Sequence, residues 1–213
     1  MKTTNKENYW SQFVANYEEK QSFVSGKEVL ASVKEEIGRE RNLNKVLELG
    51  CGTGLFTAGI KDRATEVLAT DFSEEMIEAA IKTRGTLENV RFKKANALDL
   101  TYKRESFDTV FMANLIHIIG DSKKVIEESH KVLKPGGTII ITSFAINEMS
   151  FFNKIKIAFR YMKAFGKPSE EATREKTTRQ QIENLLNSLG FSINKNLVLG
   201  RKEKSFYITA EKK

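Results

Sequence analysis

Three glycines at alternate positions, Gly50, Gly52 and Gly54, follow an apolar run, and the stretch Glu48-Leu-Gly-Cys-Gly-Thr-Gly54 carries one carboxylate at its head. Without a Cβ, glycine lets the chain turn sharply and lay its peptide groups against a ligand. A turn of this kind recognises by donating and accepting hydrogen bonds. The spacing argues against a dinucleotide fingerprint, which needs Gly-x-Gly-x-x-Gly, because the third glycine comes two residues after the second and position 55 is Leu. No Gly-Lys-Ser/Thr follows, so a triphosphate-cradling loop is also disfavoured. A second carboxylate, Asp71, lies about 20 residues beyond the first glycine, where it can accept from both hydroxyls of a ribose or simply cap the next helix. His117 follows an apolar run ending near Ala113, and a histidine there can take a proton from a substrate or sit as a satisfied structural residue. Two histidines, one cysteine and no clustered carboxylates give no metal-ligand set.

These side chains need strands and helices to place them. Val46, Leu47 and Leu49 suit a buried parallel strand, and the helix-like run after the glycines would aim its free N–H groups at the ligand. Glu66–Thr70 reads as a second strand ending in Asp71, with Ser73-Glu-Glu as cap and first turn of a helix that turns Met76, Ile77 and Ala80 inward. Val90–Lys94 is a third strand and Glu105–Ala113 a fourth. Asn114 and His117 leave the fourth strand at its carboxyl end, where open parallel sheets bind ligands. Asp121 or Ser122 caps a helix with Val125, Ile126, Ser129, Val132 and Leu133 inward, and Thr138–Ser143 is a β-branched fifth strand. Thr178-Arg-Gln-Gln181 is a capping box for a helix that stops at Gly190, and two alternating runs, Phe191–Leu199 and Ser205–Glu211, close the chain.

Two further segments are unusual. Residues 7–20 place Tyr9, Trp10, Phe13 and Tyr17 at helical spacing, ahead of an expected capping box at Ser25-Gly-Lys-Glu28 that opens a helix with Val29, Leu30, Val33 and Ile37 on one face. Residues 147–167 form a basic amphipathic segment. Phe151, Ile155, Phe159 and Met162 stack on one side, with Lys156, Arg160, Lys163 and Lys167 on the other. Its position after the fifth strand makes it a cover for the sheet's carboxyl edge, plain surface packing, or a contact for an anionic membrane.

Glu48 through Gly54, Asp71, Asn96-Ala97, Phe107-Asp108 and Leu133-Lys-Pro-Gly-Gly137 together resemble the motifs of the class I S-adenosylmethionine-dependent methyltransferases. The likeness is to small-molecule enzymes of the ubiquinone and menaquinone biosynthesis kind, and it covers nearly the whole chain from Tyr9 onward. It implies an α/β fold: a single doubly wound Rossmann-like domain over residues 1–213, a mostly parallel seven-stranded sheet with an antiparallel last strand, and helices on both faces. Residues 1–40 would be an N-terminal helical lid and 147–177 a helical insertion after the fifth strand. S-adenosyl-L-methionine is the implied cofactor. Gly50, Cys51, Gly52 and Gly54 would lie under its methionine portion, with Cys51 as a small filler, and Glu48 would help hold its amino group. Asp71 would take the ribose, Phe72 lie beside the adenine, and Asn114 complete the cofactor site. Asn96 stands where the family commonly has Asp, so it would accept from the adenine amino group with a weaker, uncharged bond, while the Ala97 N–H reaches a ring nitrogen. His117 is the implied catalytic base, and with Tyr9, Trp10 and Tyr17 it would wall the pocket of a small organic acceptor.

The chain has 213 residues, enough for one domain with a full core, and only two prolines. Its N-terminus lacks the apolar region of a signal peptide and no apolar run approaches the roughly 20 residues that cross a bilayer, so a cytoplasmic protein is expected. The single cysteine agrees. The net charge of +7 comes from the last third, where residues 151–213 hold fourteen Lys/Arg against six Asp/Glu. That excess would suit a solvated surface, an anionic lipid, an acidic substrate or RNA. Nucleic acid is nevertheless disfavoured as a substrate, because no Asn/Asp-Pro-Pro-Tyr/Phe follows the fourth strand and no Pro-Cys pair occurs. A quinone or lipid methyltransferase at the membrane surface, an RNA methyltransferase and a non-catalytic S-adenosylmethionine binder are the alternatives.

Overall fold

The structure, a computed structural model, describes residues 9–174 and 177–213. Residues 1–8 of the expected N-terminal lid and 175–176 of the later insertion lie outside the described residues. The aromatic run is not one helix. A short helical turn at Tyr9–Ser11 leads through a 3₁₀ turn, Val14–Asn16, into α1, Tyr17–Ser25. The expected capping box at Ser25 does not form. Ser25 ends α1 with its hydroxyl accepting from Gln21 Nε2 at 3.1 Å, and Gly26, at φ 84°, breaks the chain before α2, Lys27–Arg39.

Strand β1, Asn44–Leu49, delivers the glycine turn, and the helix expected after it is a single turn, α3, Thr57–Ile60. Positive φ at Gly52 (54°) and Gly54 (85°) holds the chain out of helical geometry until Phe56, which explains the shortening. Next come β2, Ala64–Asp71, α4, Glu74–Arg84, and β3, Val90–Lys94. Strand β4, Phe107–Ala113, precedes α5, Ser122–Val132, and β5, Leu133–Phe144. Helices α6, Phe151–Phe165, α7, Glu170–Arg174, and α8, Arg179–Ser188, then lead to β6, Phe191–Leu199, and β7, Ser205–Lys212. The caps at Ser73, Asp121 and Thr178 each accept the expected backbone N–H, and Gln181 completes the Thr178 box.

The seven strands run in the order β3-β2-β1-β4-β5-β7-β6, parallel except that β7 is antiparallel to both neighbours. Strand order reverses between β1 and β4, and a crevice opens at such a point on the carboxyl side. Because strand side chains alternate, Leu47, Leu49, Val110, Met112, Ile139 and Ile141 pack one face under α5 and α8. Val46, Val67, Ala69, Phe111, Ile140 and Tyr207 pack the other against α2. A third cluster, with Phe13, Val24, Phe144, Met149, Ile157 and Phe165, joins α1 and α6 at the carboxyl edge.

Helix α6 buries Ile157, Ala164 and Phe165, while Phe151, Ile155, Phe159 and Met162, the apolar side singled out by the spacing, are exposed. The helix is apolar on two sides, and the cluster with Phe13, Val24 and Phe144 takes the one carrying Ile157, Ala164 and Phe165.

Phe111 is 0% exposed at the centre of the sheet, with its ring centroid 6.4 Å from that of Phe56. Phe111→Ala is expected to remove about 3–5 kcal/mol of stability, read as a lower denaturant midpoint at unchanged slope in urea.

Candidate functional site

The register of the sheet assembles the site. Leu49 pairs with both Thr70 and Met112, and Ala113 pairs with Thr142, so the next residues along, Gly50, Asp71, Asn114 and Ser143, come out together on the carboxyl edge. Two edge bonds hold that alignment past the strands: the Cys51 N–H donates to the Thr70 carbonyl at 2.9 Å and the Asn114 N–H to the Thr142 carbonyl at 2.8 Å.

Within the loop, Gly50 and Gly52 have φ of 69° and 54°, conformations that side chains resist. Their Cα atoms are closely covered. A Cβ on Gly50 would stand 3.0 Å from Leu115 Cδ1, and one on Gly52 3.2 Å from Tyr17 Cε1. Asp71 fixes the loop from β2, one carboxylate oxygen accepting the Gly52 N–H and the other the Ser73 N–H, both at 2.9 Å. Burial raises the Asp71 pKa, and the backbone donors at Ser73, Gly52 and Phe72 oppose it. A carboxylate has about four acceptor sites, so with these three donors one remains for a ribose hydroxyl.

Glu48 sits beneath the turn rather than on its surface. It is 2% exposed, and Thr57 Oγ1 donates to its Oε2 at 2.6 Å. Burial lifts its pKa from the ordinary 4.5 to about 7, the Thr57 bond pulling the other way and Asp71 adding to the rise. Cys51 is buried with its thiol pushed well up by desolvation, then by Glu48 and Asp71, which makes it packing rather than a nucleophile.

Asn96 is exposed, and its Oδ1 accepts the Leu98 N–H at 3.0 Å, which leaves one lone pair of that oxygen for another donor. Ala97 packs against the main core, Phe72 is half-buried, and Asn114 holds a left-handed φ of 56° where the chain leaves β4. His117 Nδ1 lies 2.8 Å from Ser143 Oγ, and the ring meets Phe144 edge-on at 5.3 Å. Desolvation lowers its pKa to about 4, so the imidazole is neutral near pH 7 and Nε2 is the ring nitrogen left for a ligand.

Tyr9, Trp10 and Tyr17 do come together over the edge. Trp10 stands edge-on to Tyr17 and to Phe165 at 6.3 and 5.6 Å. The Tyr9 hydroxyl lies 3.3 Å from that of Tyr161 and 3.2 Å from the Lys167 carbonyl. Burial first, and then the charge of Asp71, pushes the Tyr17 phenol well above its ordinary pKa, so it stays neutral. Glu18 latches this roof to the loop, accepting from Thr53 Oγ1 at 2.9 Å and pairing with Arg84 at 2.8 Å, while Arg84 donates to the Thr53 carbonyl at 2.6 Å.

Thr57, Arg84, Leu115 and Ser143 were not singled out in the sequence. Ser143 alone had a signal, since it ends the fifth strand as His117 follows the fourth. An open groove of about 410 Å³ between Ala145–Glu148 and Thr178–Gln180 does not reach the glycine loop, and its Arg179 and Glu148 neutralise each other at 2.5 Å. Among the described residues no three His, Cys, Asp or Glu are grouped to hold a metal, and no helix is long and apolar enough to cross a membrane.

Residues 40–192 match the family described as "Methyltransferase domain". A demethylmenaquinone methyltransferase of Clavibacter sepedonicus is 35% identical over 101 residues, 47% of this chain and 41% of the relative. One of Staphylococcus aureus (strain MRSA252) is 28% identical over 165 residues, covering 75% of this chain and 68% of the relative. The chain thus matches 41 to 68% of the length of these curated relatives. The crystal structure of an S-adenosylmethionine-dependent methyltransferase from Thermotoga maritima superposes with a TM-score of 0.73 at 23% identity, over 97% of this chain and 99% of that one, a likeness of fold.

Glu48 provides a pH test. Its folded pKa, about 7, lies above the unfolded value, so its contribution is complete below about pH 4.5 and disappears as the pH rises through 7. Glu48→Gln keeps an acceptor for Thr57 without the titration. It is expected to remove a loss of stability on the order of 3 kcal/mol between pH 5 and 8, measured by urea unfolding across that range.

Proposed function

The chain belongs to the methyltransferase-domain family, with S-adenosylmethionine as its cofactor, and from that premise we propose that it transfers a methyl group to a small organic acceptor. The observation that carries the reading is the Asp71 carboxylate, enclosed at the end of β2, bonded to the Gly52 N–H and still able to accept from a ligand beside a left-handed glycine turn. The residues fit the cofactor. Asp71 would take the ribose hydroxyls, Gly50, Gly52 and Gly54 the methionine portion, and Glu48, with its pKa near 7, would ionise beneath the cofactor's amino group and help hold it. Phe72, Asn96, Ala97 and Asn114 would flank the adenosine.

When bound, the cofactor supplies an electrophilic sulfonium methyl that an acceptor lone pair attacks in line, the carbon–sulfur electron pair leaving on sulfur. Such a leaving group asks little acid–base work of the protein, whose task is to align the acceptor and exclude water. Tyr9, Trp10 and Tyr17, with Phe165 behind them, exclude water above the edge. Tyr17 and Leu115 lie against the glycine turn, so ligand entry displaces both, and the Glu18 contacts to Thr53 and Arg84 hold the roof down afterwards. His117, neutral and tied through Nδ1 to Ser143, would accept the acceptor proton at Nε2. The names of the relatives favour an apolar ring, such as a quinol, among small acceptors.

Asp71→Ala is expected to weaken S-adenosylhomocysteine binding about tenfold or more in calorimetry, with Asp71→Asn between it and the parent; unchanged affinity removes the ribose assignment. His117→Ala is expected to lower kcat about 100-fold while cofactor affinity holds, and the parent's acid limb should lie near pH 4 rather than 6.5. Full activity in that variant would return His117 to a packing role beside Phe144.

A further inference from the structure

Helix α6 runs fifteen residues, about 22 Å, and buries only one side against the roof cluster. At about 100° per residue its other apolar side, Phe151, Phe152, Ile155, Phe159 and Met162, points almost directly away from the buried Ile157 and Ala164. Phe152 is 80% exposed, Phe151 70% and Phe159 67%, and Phe23 of α1, 42% exposed, lies beneath Arg160 and Lys163 of α6 at 5.6 and 5.9 Å. Single exposed apolar residues are ordinary on a protein surface, but a continuous stripe of aromatic side chains along one helix marks a contact.

Charge identifies the occupant. The helix holds four basic residues, Lys154, Lys156, Arg160 and Lys163, and no acidic one. Lys156 and Arg160 are spent on Glu203 of the β6–β7 turn, at 3.1 and 2.9 Å, which pins the helix to the domain. Lys154 and Lys163, on opposite flanks of the stripe, make no ion pair among the described residues. A second copy on this face would bring like charges together, whereas a bilayer with anionic headgroups accepts the aromatics below and the lysines at its surface. We propose that the outer face of α6, with Phe23 beside it, docks this protein on an anionic lipid surface. Its inner face roofs the acceptor site beside Phe144, so the docked enzyme holds that site about one helix diameter from the lipid. This deepens the acceptor reading, and rests on it, by naming where an apolar acceptor is met.

Vesicle sedimentation tests the docking with neither cofactor nor acceptor present, so it can fail while methyl transfer stands. The protein is expected to sediment with phosphatidylcholine vesicles containing phosphatidylglycerol, less with phosphatidylcholine alone, and less as salt rises. The pair F152S and F159S should weaken sedimentation about tenfold or more, with unfolding midpoint and S-adenosylhomocysteine affinity unchanged. K154E with K163E should abolish the preference for the anionic vesicles. Sedimentation unaffected by the phenylalanine pair, no sedimentation with either vesicle, or a solution dimer that the same pair converts to monomer would each overturn the proposal.

Discussion

The Gly52 N–H donates to Asp71 across the gap between β1 and β2, and the geometry of the site depends on that bond. It stands where two parallel strands end level, so that a glycine turn from one and a carboxylate from the other meet without intervening side chains. Enclosing the carboxylate is costly, and the peptide donors of Gly52 and Ser73 offset the cost. A turn with side chains at Gly50 or Gly52 would meet Leu115 or Tyr17 and adopt its φ only under strain. Backbone conformation and electrostatics therefore demand the same sequence here.

Around this bond the groups that could carry charge are held neutral or raised toward neutrality. Glu48, Cys51, Tyr17 and His117 are all shifted by desolvation in the direction that removes charge. A site of this kind has a low local dielectric and little room for water. That matches the demands of methyl transfer from a cationic donor, whose arriving charge would favour the ionised form of the buried carboxylates while aromatic walls keep water out.

The roof is built from chain distant in sequence: α1 from one end and α6 from beyond the fifth strand, joined by Phe13, Val24 and Phe165. Glu18 fastens it to the glycine loop and Glu203 fastens α6 to the last hairpin. Both anchors are carboxylates among basic partners, so the excess of positive charge in the last third is partly consumed in holding the roof. Of what remains, Lys154 and Lys163 flank the apolar stripe.

Much of this was legible in the residues alone. Alternating strand patterns, the caps at Ser73, Asp121 and Thr178, the glycine spacing and the position of Asp71 all act through neighbours a few residues away, so local sequence determines them. The Asx bond from the Leu98 N–H to Asn96 was not foreseen. Two expectations were overturned for local reasons: Ser25 accepts from Gln21, four residues back, and positive φ at Gly52 and Gly54 shrinks the following helix to one turn. Which face α6 buries depends instead on distant chain. Periodicity established that α6 has apolar faces and basic flanks, but a helix apolar on two opposite sides does not say which one the domain will cover. Only the tertiary packing, which brings Phe13, Val24 and Phe144 together against Ile157 and Phe165, decided that.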